Sequence, residues 1–169
     1  MYGITGTPGT GKTSVAEMLQ GRGYHVIHQK DTVGPYIIEK DRERETLVID
    51  EERWAEEFIP EDGFIEGHLV HLLSCDAVIV LRCRPDQLAE RLSARNYPAE
   101  KIRENVEAEA LDVILIETLE LFEARQVYEL DTTDKSVLEC CDMIERFVRG
   151  ETPASYGNID WSMYLGGEP

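Results

Sequence analysis

The residues with the clearest chemical potential lie near the N-terminus, in the octapeptide GTPGTGKT from Gly6 to Thr13. It matches the pattern G-x-x-x-x-G-K-[S/T], whose glycines let the main chain approach a ligand closely. An apolar segment, Met1–Thr5, precedes it and a helical pattern follows it. Successive N–H groups from Gly9 to Thr13 are expected to turn inward and form a binding site for phosphate.

Three side chains, two at the end of this phosphate loop and one just after it, indicate which ligand carries the phosphates. Lys12 is expected to reach the outer phosphates, the Thr13 hydroxyl to bind Mg²⁺, and Ser14 to contact the inner phosphate. The pattern therefore predicts a nucleoside triphosphate, such as ATP, bound with Mg²⁺. The residues expected to bind it are Gly9, Thr10, Gly11, Lys12, Thr13 and Ser14.

A second group of candidates follows a short predicted strand in the segment GFIEGHLVH. Glu66 ends this strand, and an acid beside the phosphate loop can hold Mg²⁺ through water. His68 is a candidate to orient an attacking water, to bind a phosphate or to relay a proton. His71 is expected to be a packing residue, because its neighbours along the chain are apolar.

The segment RCRPDQLAERLSARNY carries four arginines in a strongly acidic chain. Guanidinium groups stabilise the negative charge that spreads over phosphate oxygens during phosphoryl transfer. Arg95 lies at a predicted break between helices and is the arginine most expected to act on phosphates. Arg84 and Arg91 fit this role and a salt-bridged, solvated helix face equally well. The fourth arginine is Arg82.

Length and charge limit the possibilities further. The 169 residues suit one domain, and 34 acidic against 17 basic residues give a formal net charge of −17. Such a surface repels nucleic acid and anionic membranes, so direct binding to either is not expected. The charge fits a basic protein partner or, equally, an intracellular proteome whose proteins are generally acidic. Four cysteines without CxxC spacing are expected to be reduced thiols in the cytoplasm.

Strand patterns alternate with helical patterns along the chain, which predicts an α/β fold with a five-stranded parallel sheet and helices on both faces. The predicted strands are Met1–Thr5, Tyr24–His28, Gly63–Glu66, Ala77–Arg82 and Gln126–Asp131. The predicted helices are one after the phosphate loop, with Val15, Ala16, Met18 and Leu19 buried, and then Asp86–Ala94, Pro98–Phe122 and Ser136–Val148.

The layout of inserts selects among P-loop NTPases. The chain lacks the N-K-x-D sequence of small GTPases and is shorter than motor ATPases. Polar residues 31–60, expected to be helical in parts, interrupt the alternation and form what we call the insert. This layout predicts a nucleoside monophosphate kinase-like domain, with the insert binding the acceptor nucleotide, a short lid at 92–102 and an irregular tail at 150–169.

The chain also resembles a known family, the adenylate kinases of archaea and eukaryotes typified by adenylate kinase isoenzyme six, or coilin-interacting nuclear ATPase. The resemblance covers nearly the whole chain. It rests on GTPGTGKT, LVIDEERW (Leu47–Trp54), EGH where the family often has D-x-H, RLSARNYPAEKIRENVEAE (Arg91–Glu109) and the tail GNIDWS, which is similar to archaeal members.

This resemblance implies the reaction ATP + AMP ⇌ 2 ADP, ATPase activity, and a role in small ribosomal subunit maturation and rRNA processing with a basic small-subunit ribosomal protein. It places ATP on the phosphate loop and Arg95, and adenine near Leu130–Thr133. Glu66 replaces the family's usual Asp, and Asn96 replaces a Gly. The short lid implies poorer exclusion of water and therefore hydrolysis.

Three functions remain open from the sequence. The first is a kinase in which Lys12, Arg95 and His68 serve catalysis. The second is an assembly factor in which ATP hydrolysis controls binding of a ribosomal protein and AMP phosphorylation is incidental. The third is a nucleotide-binding module without turnover. The arginine that holds the acceptor phosphate is also open among Arg42, Arg44 and Arg53.

Overall fold

The computed structural model describes residues 1–41 and 46–165. Its strands are β1 (Tyr2–Thr5), β2 (Val26–His28), β3 (Ile37–Asp41), β4 (Thr46–Ile49), β5 (Phe64–Glu66), β6 (Ala77–Arg82) and β7 (Val127–Asp131). Five of them form a parallel sheet in the order β2-β5-β1-β6-β7. The predicted five-stranded parallel sheet is confirmed.

The α-helices cover both faces of this sheet. They are α1 (Lys12–Gly21), α2 (Gln29–Thr32), α3 (Glu51–Glu57), α4 (Pro85–Ser93), α5 (Ala99–Ala110), α6 (Val113–Leu121) and α7 (Val137–Val148). On one face Ile79 packs with residues of α1 and α7, and on the other Val78 and Val80 pack with Trp54 and Leu115. Because successive strand residues point to opposite faces, the unbroken apolar run of β6 is buried on both sides.

Two details of the predicted helices are wrong. Met18 does not lie on the buried face of α1, since 37% of it is exposed. The single helix predicted over Pro98–Phe122 is two helices, because Asp112 adopts a left-handed backbone conformation with φ 57°. Aspartate tolerates this conformation better than most residues, so α5 can end there and α6 begin.

The insert contains more strand than its polar composition predicts. Two short helices, α2, which leads into the insert, and α3 within it, flank an antiparallel hairpin of β3 and β4. Trp54 of α3 is fully buried, and its indole Nε1 donates a 3.0 Å hydrogen bond to Thr32 Oγ1. This indole joins the two helices to the core beneath them.

The tail is largely irregular as far as it is described, through residue 165. Ser155 makes an isolated bridge to Tyr128, and the Gly157 N–H donates to Glu129 Oε2 at 2.8 Å. All four cysteines are free and buried, as the sequence predicts for reduced thiols. Among the helices of residues 1–41 and 46–165, none has the length and apolarity needed to cross a membrane.

Candidate active site

The phosphate loop joins β1 to α1 and depends on its glycines. A Cβ atom at Gly6, where φ is 141°, would lie 2.3 Å from the Leu81 carbonyl oxygen. A Cβ at Gly9 would lie 2.7 Å from Leu88 Cδ1. The first turn of α1 has no side-chain cap and no acidic residue. Its N–H groups therefore remain open to an anion at the positive end of the helix dipole.

Lys12 folds back over the loop that carries it. Its Nζ donates hydrogen bonds to the carbonyl oxygens of Gly6, at 2.7 Å, and Thr7, at 3.1 Å. Burial lowers the pKa of this amine to about 8, although nearby Glu66 and Glu109 partly oppose the shift. A phosphate that replaced the two carbonyls would give the ammonium a charged partner, which is the stronger interaction.

Glu66 lies at the end of β5, beside β1 and β2. It is 6% exposed, and its Oε1 is 2.8 Å from His28 Nδ1, the cross-strand neighbour on β2. Glu66 and Thr13 line the same cavity. One carboxylate and one hydroxyl suit Mg²⁺, which usually keeps several waters and takes phosphate oxygens as further ligands. Within the described ranges, no three or more His, Cys, Asp or Glu side chains are grouped to hold a metal.

The two predicted histidines have different environments. His68 lines the cavity next to Glu66, and desolvation, Lys12 and His71 together lower the pKa of its ring to about 4. His68 is therefore neutral at pH 7 and available as a hydrogen-bonding group. His71 is 2% exposed, with Nε2 3.1 Å from Glu117 and Nδ1 3.4 Å from Thr5 Oγ1. It packs in the interior, as predicted.

The four arginines between β6 and the turn after α4 have different environments. Arg82 is buried and paired with three carboxylates, and Arg84 Nε bonds Asp86 at 2.7 Å. Arg91 donates to the carbonyl oxygens of Thr132 and Thr133. Arg95, exposed in the turn between α4 and α5, lines both cavities of the site. Of these four arginines, Arg95 alone lines both of the cavities that meet at the phosphate loop.

Two adjoining cavities meet at the phosphate loop. The larger, about 520 Å³, is lined by the loop, by Glu66 and His68, by Arg95, and by residues of the insert. The smaller, about 170 Å³, lies between the loop, α4 and the connection from β7 to α7. Its lining includes Thr10, Ser14, Arg91, Arg95, Thr132 and Lys135.

Comparisons with known proteins identify the family. A family model described as "AAA domain" matches residues 3–112. A protein of Archaeoglobus fulgidus named "Putative adenylate kinase" is 48% identical over 168 residues, covering 95% of this chain and 91% of the relative. The chain belongs to this family of archaeal adenylate kinase homologues. Another member, from Natronomonas pharaonis and with the same name, is 41% identical over 165 residues and is covered over 98% of its length.

Solved structures of other proteins share the fold of this chain. A gluconokinase of Sinorhizobium meliloti matches with a TM-score of 0.53 at 20% identity, over 88% of this chain and 91% of the other. A thymidylate kinase of Candida albicans matches with a TM-score of 0.55 at 11% identity, over 89% and 91%. Such low identities show the fold alone, and they confirm the predicted kinase-like P-loop fold.

Most of the predicted site residues lie together around the two cavities. Those lining the larger cavity are Gly9, Gly11, Lys12, Thr13, Glu66, His68 and Arg95, and Thr10 and Ser14 line the smaller one. Leu130 does not join them, because its side chain is 2% exposed in the core. The neighbouring Thr132 takes the position at the smaller cavity.

The acceptor side differs more from the sequence prediction. Arg53 is exposed, bonds Glu57 at 2.7 Å and lies over the Tyr36 ring, away from both cavities. Arg42 and Arg44 lie outside the described residues. Among the described residues on this side of the larger cavity, Gln29 and Lys30 of α2 precede the insert, and Val33 and Ile49 belong to it.

Sequence reasoning also missed one stripe of lining residues. Lys101 and Asn105 of α5 line the larger cavity four residues apart, the spacing that places helical side chains on one face, and Tyr97 lines it from the turn before the helix. The helical pattern was read from apolar residues alone, so this polar stripe of α5 was overlooked. His28 was missed as well, because only the sheet brings it to Glu66.

Proposed function

We propose that this chain is an adenylate kinase-type phosphotransferase that catalyses ATP + AMP ⇌ 2 ADP. The observation that carries the proposal is that the phosphate loop, the lid and the insert line one cavity. A donor triphosphate on the loop and an acceptor monophosphate against the insert would meet there. The name of the homologues agrees with this reaction.

Transfer would depend on position and charge. The amides of the loop hold the donor phosphates, and Lys12 exchanges the Gly6 and Thr7 carbonyls for the outer phosphates. Arg95 neutralises charge on the transferred group. Mg²⁺, held by the Thr13 hydroxyl and by Glu66 through water, would neutralise charge on the donor phosphates. Adenine would occupy the smaller cavity beside Thr132.

We further propose that the chain hydrolyses ATP. The proposed lid, 92–102, contains only a short turn between α4 and α5, and Arg95 and Asn96 in that turn are exposed. A short lid excludes water poorly, so water competes with the acceptor. Neutral His68, beside the loop, is the group proposed to orient this water.

A second candidate function follows from the charge of the chain. A net charge of −17 favours a basic partner, and the family resemblance suggests a small-subunit ribosomal protein. In this alternative the chain, of the isoenzyme-six type, acts in the cytoplasm in small ribosomal subunit maturation and rRNA processing. ATP hydrolysis would then control binding of that protein, and AMP phosphorylation would be incidental.

One set of rate measurements separates the two functions. ADP formation from Mg-ATP is followed alone, with each common nucleoside monophosphate, and with a purified basic small-subunit ribosomal protein. Strong stimulation by AMP supports the kinase, and stimulation by the protein without AMP supports the assembly factor. His68→Ala is expected to lose hydrolysis and keep AMP phosphorylation. Equal loss of both activities would contradict the role proposed for His68.

A further inference from the structure

A buried carboxylate connects the phosphate loop to α5. Glu109 is 2% exposed, and its Oε2 accepts a 2.5 Å hydrogen bond from Thr7 Oγ1 in the loop. Its Oε1 accepts from Arg82 Nε at 2.8 Å and from the Cys83 N–H at 3.0 Å. A carboxylate buried this deeply is stable only when its oxygens are bonded, so each of these donors matters to its placement.

Thr7 is the part of the loop on which other contacts converge. It is 3% exposed, and its carbonyl oxygen accepts from Thr10 Oγ1 at 2.9 Å, the Thr10 N–H at 3.2 Å and Lys12 Nζ at 3.1 Å. The orientation of Thr7 therefore fixes the turn that leads into the phosphate-binding amides. Its side chain is in turn fixed by Glu109.

The same carboxylate lies at one end of the lining stripe of α5. Lys101 and Asn105 of α5 line the larger cavity, and Glu109 continues their four-residue spacing to the last turn of the helix. Arg82 also donates from Nη2 to the Glu109 carbonyl oxygen at 2.9 Å and to Asp112. This end of α5 is thus fixed to the sheet, while its other end adjoins the lid.

We propose that Glu109 is a positioning residue which, through Thr7, holds the phosphate loop in its nucleotide-binding shape. The same contact fixes the loop to the end of α5 whose opposite end adjoins the lid. The inference rests on the proposed use of the loop for the donor nucleotide. It adds a residue that neither binds phosphate nor lines the cavity.

Thr7→Val and Thr7→Ser test the contact directly. Valine keeps the shape and removes the hydroxyl, whereas serine retains it. Hydrogen bonds to charged groups are strong enough for Thr7→Val to weaken Mg-ATP binding by about tenfold in calorimetry. Thr7→Ser is expected to stay within about twofold of the wild type, and the KM for AMP should change in neither.

Three results would overturn the positioning role. Thr7→Val could bind Mg-ATP as tightly as the wild type, Thr7→Ser could be as weak as Thr7→Val, or the KM for AMP could rise with that for ATP. A wild-type chain that binds no Mg-ATP would instead overturn the proposed function. Normal wild-type binding with an unaffected Thr7→Val variant would remove the positioning role alone.

A double-mutant cycle with Glu109→Gln tests whether the two residues act together. The glutamine keeps the acceptor for Arg82 and places a neutral amide, a weaker partner than a carboxylate, opposite the Thr7 hydroxyl. In the Glu109→Gln background, Thr7→Val should change the logarithm of the Mg-ATP affinity by less than half as much as it does in the wild type. Independent, multiplying effects would contradict the proposal. If Glu109→Gln does not fold, the comparison of Thr7→Val with Thr7→Ser still decides.

Asp112→Asn is the matched control for Glu109→Gln. It removes another carboxylate from Arg82 without touching the loop. Asparagine also tolerates the left-handed conformation of this position. The Mg-ATP affinity of Asp112→Asn is expected to stay within about twofold of the wild type, because this substitution removes charge only near Arg82. An effect as large as that of Glu109→Gln would show that the Arg82 cluster, rather than contact with Thr7, determines affinity.

Discussion

The phosphate loop and the insert face each other across one cavity but are built by different means. The loop presents main-chain amides, and its shape is fixed by glycines and by buried contacts of Thr7 and Thr10. The facing wall presents side chains from short elements: Lys30 of α2, just before the insert, and Val33 and Ile49 of the insert itself. Main-chain groups bind any phosphate, whereas side chains distinguish one acceptor from another.

This difference predicts two kinds of mutational effect. A change at the loop or lid should lower turnover with every acceptor nucleotide, because it removes charge stabilisation from the transferred group. A change in the insert should raise the KM for the acceptor and leave hydrolysis without acceptor unchanged. Four substitutions, taken in order of decreasing expected effect, test this contrast.

Lys12→Ala should have the largest effect. Loss of the ammonium that faces the outer phosphates is expected to lower kcat for both transfer and hydrolysis by about 10³-fold. Circular dichroism and the urea midpoint should show a folded protein, because the charged amine is already disfavoured by burial. Near-normal turnover in a folded variant would contradict the role of the loop.

Arg95→Ala should reduce transfer by about 10²-fold, because the guanidinium stabilises charge that develops in the transition state. Arg84→Ala is its matched control, since Arg84 belongs to the same region but pairs with Asp86 and lines neither cavity. The control should keep wild-type rates. Equal losses in the two variants would indicate a general electrostatic effect of the arginines.

Glu66→Gln should raise the Mg²⁺ concentration needed for half-maximal activity by about tenfold, as expected when a carboxylate near the metal loses its charge. Glu61→Gln removes an exposed carboxylate paired with His25 and should leave the Mg²⁺ requirement unchanged. Titration of activity with Mg²⁺ at fixed ATP measures both. An unchanged requirement in Glu66→Gln would remove Glu66 from the metal site.

Lys30→Ala tests the insert side and should have the smallest effect. The KM for AMP is expected to rise about fivefold, because a single exposed charge contributes about 1 kcal/mol to binding. Hydrolysis of ATP without AMP should not change. Arg53→Ala is the control, since Arg53 faces Glu57 and not the cavity. A larger rise in KM with Arg53→Ala would reverse this assignment.

The sequence was informative where function depends on neighbours along the chain. The phosphate loop could be predicted because its glycines, lysine and threonine act within one short segment. The buried strand β6 could be predicted because its continuous apolar run is typical of a strand covered on both faces. Glu66 and His68 followed from their place after a strand that ends beside the loop.

What the sequence did not predict depends on contacts distant along the chain. The pair of His28 and Glu66 exists because β2 and β5 are neighbours in the sheet. The bond between Thr7 and Glu109 joins residues 102 positions apart. The break at Asp112 is a local feature, but the sequence does not reveal it because apolar residues continue at helical spacing across it. The family resemblance places adenine near Leu130–Thr133, although the Leu130 side chain belongs to the core.

The proposed function requires that donor and acceptor occupy the one cavity at the same time. Its most direct test is calorimetric titration with two adenosines joined by five phosphates, a molecule that spans both positions. One molecule should bind per chain, more tightly than ATP, and it should compete with both ATP and AMP. Binding no tighter than ATP, or competition with ATP alone, would contradict it.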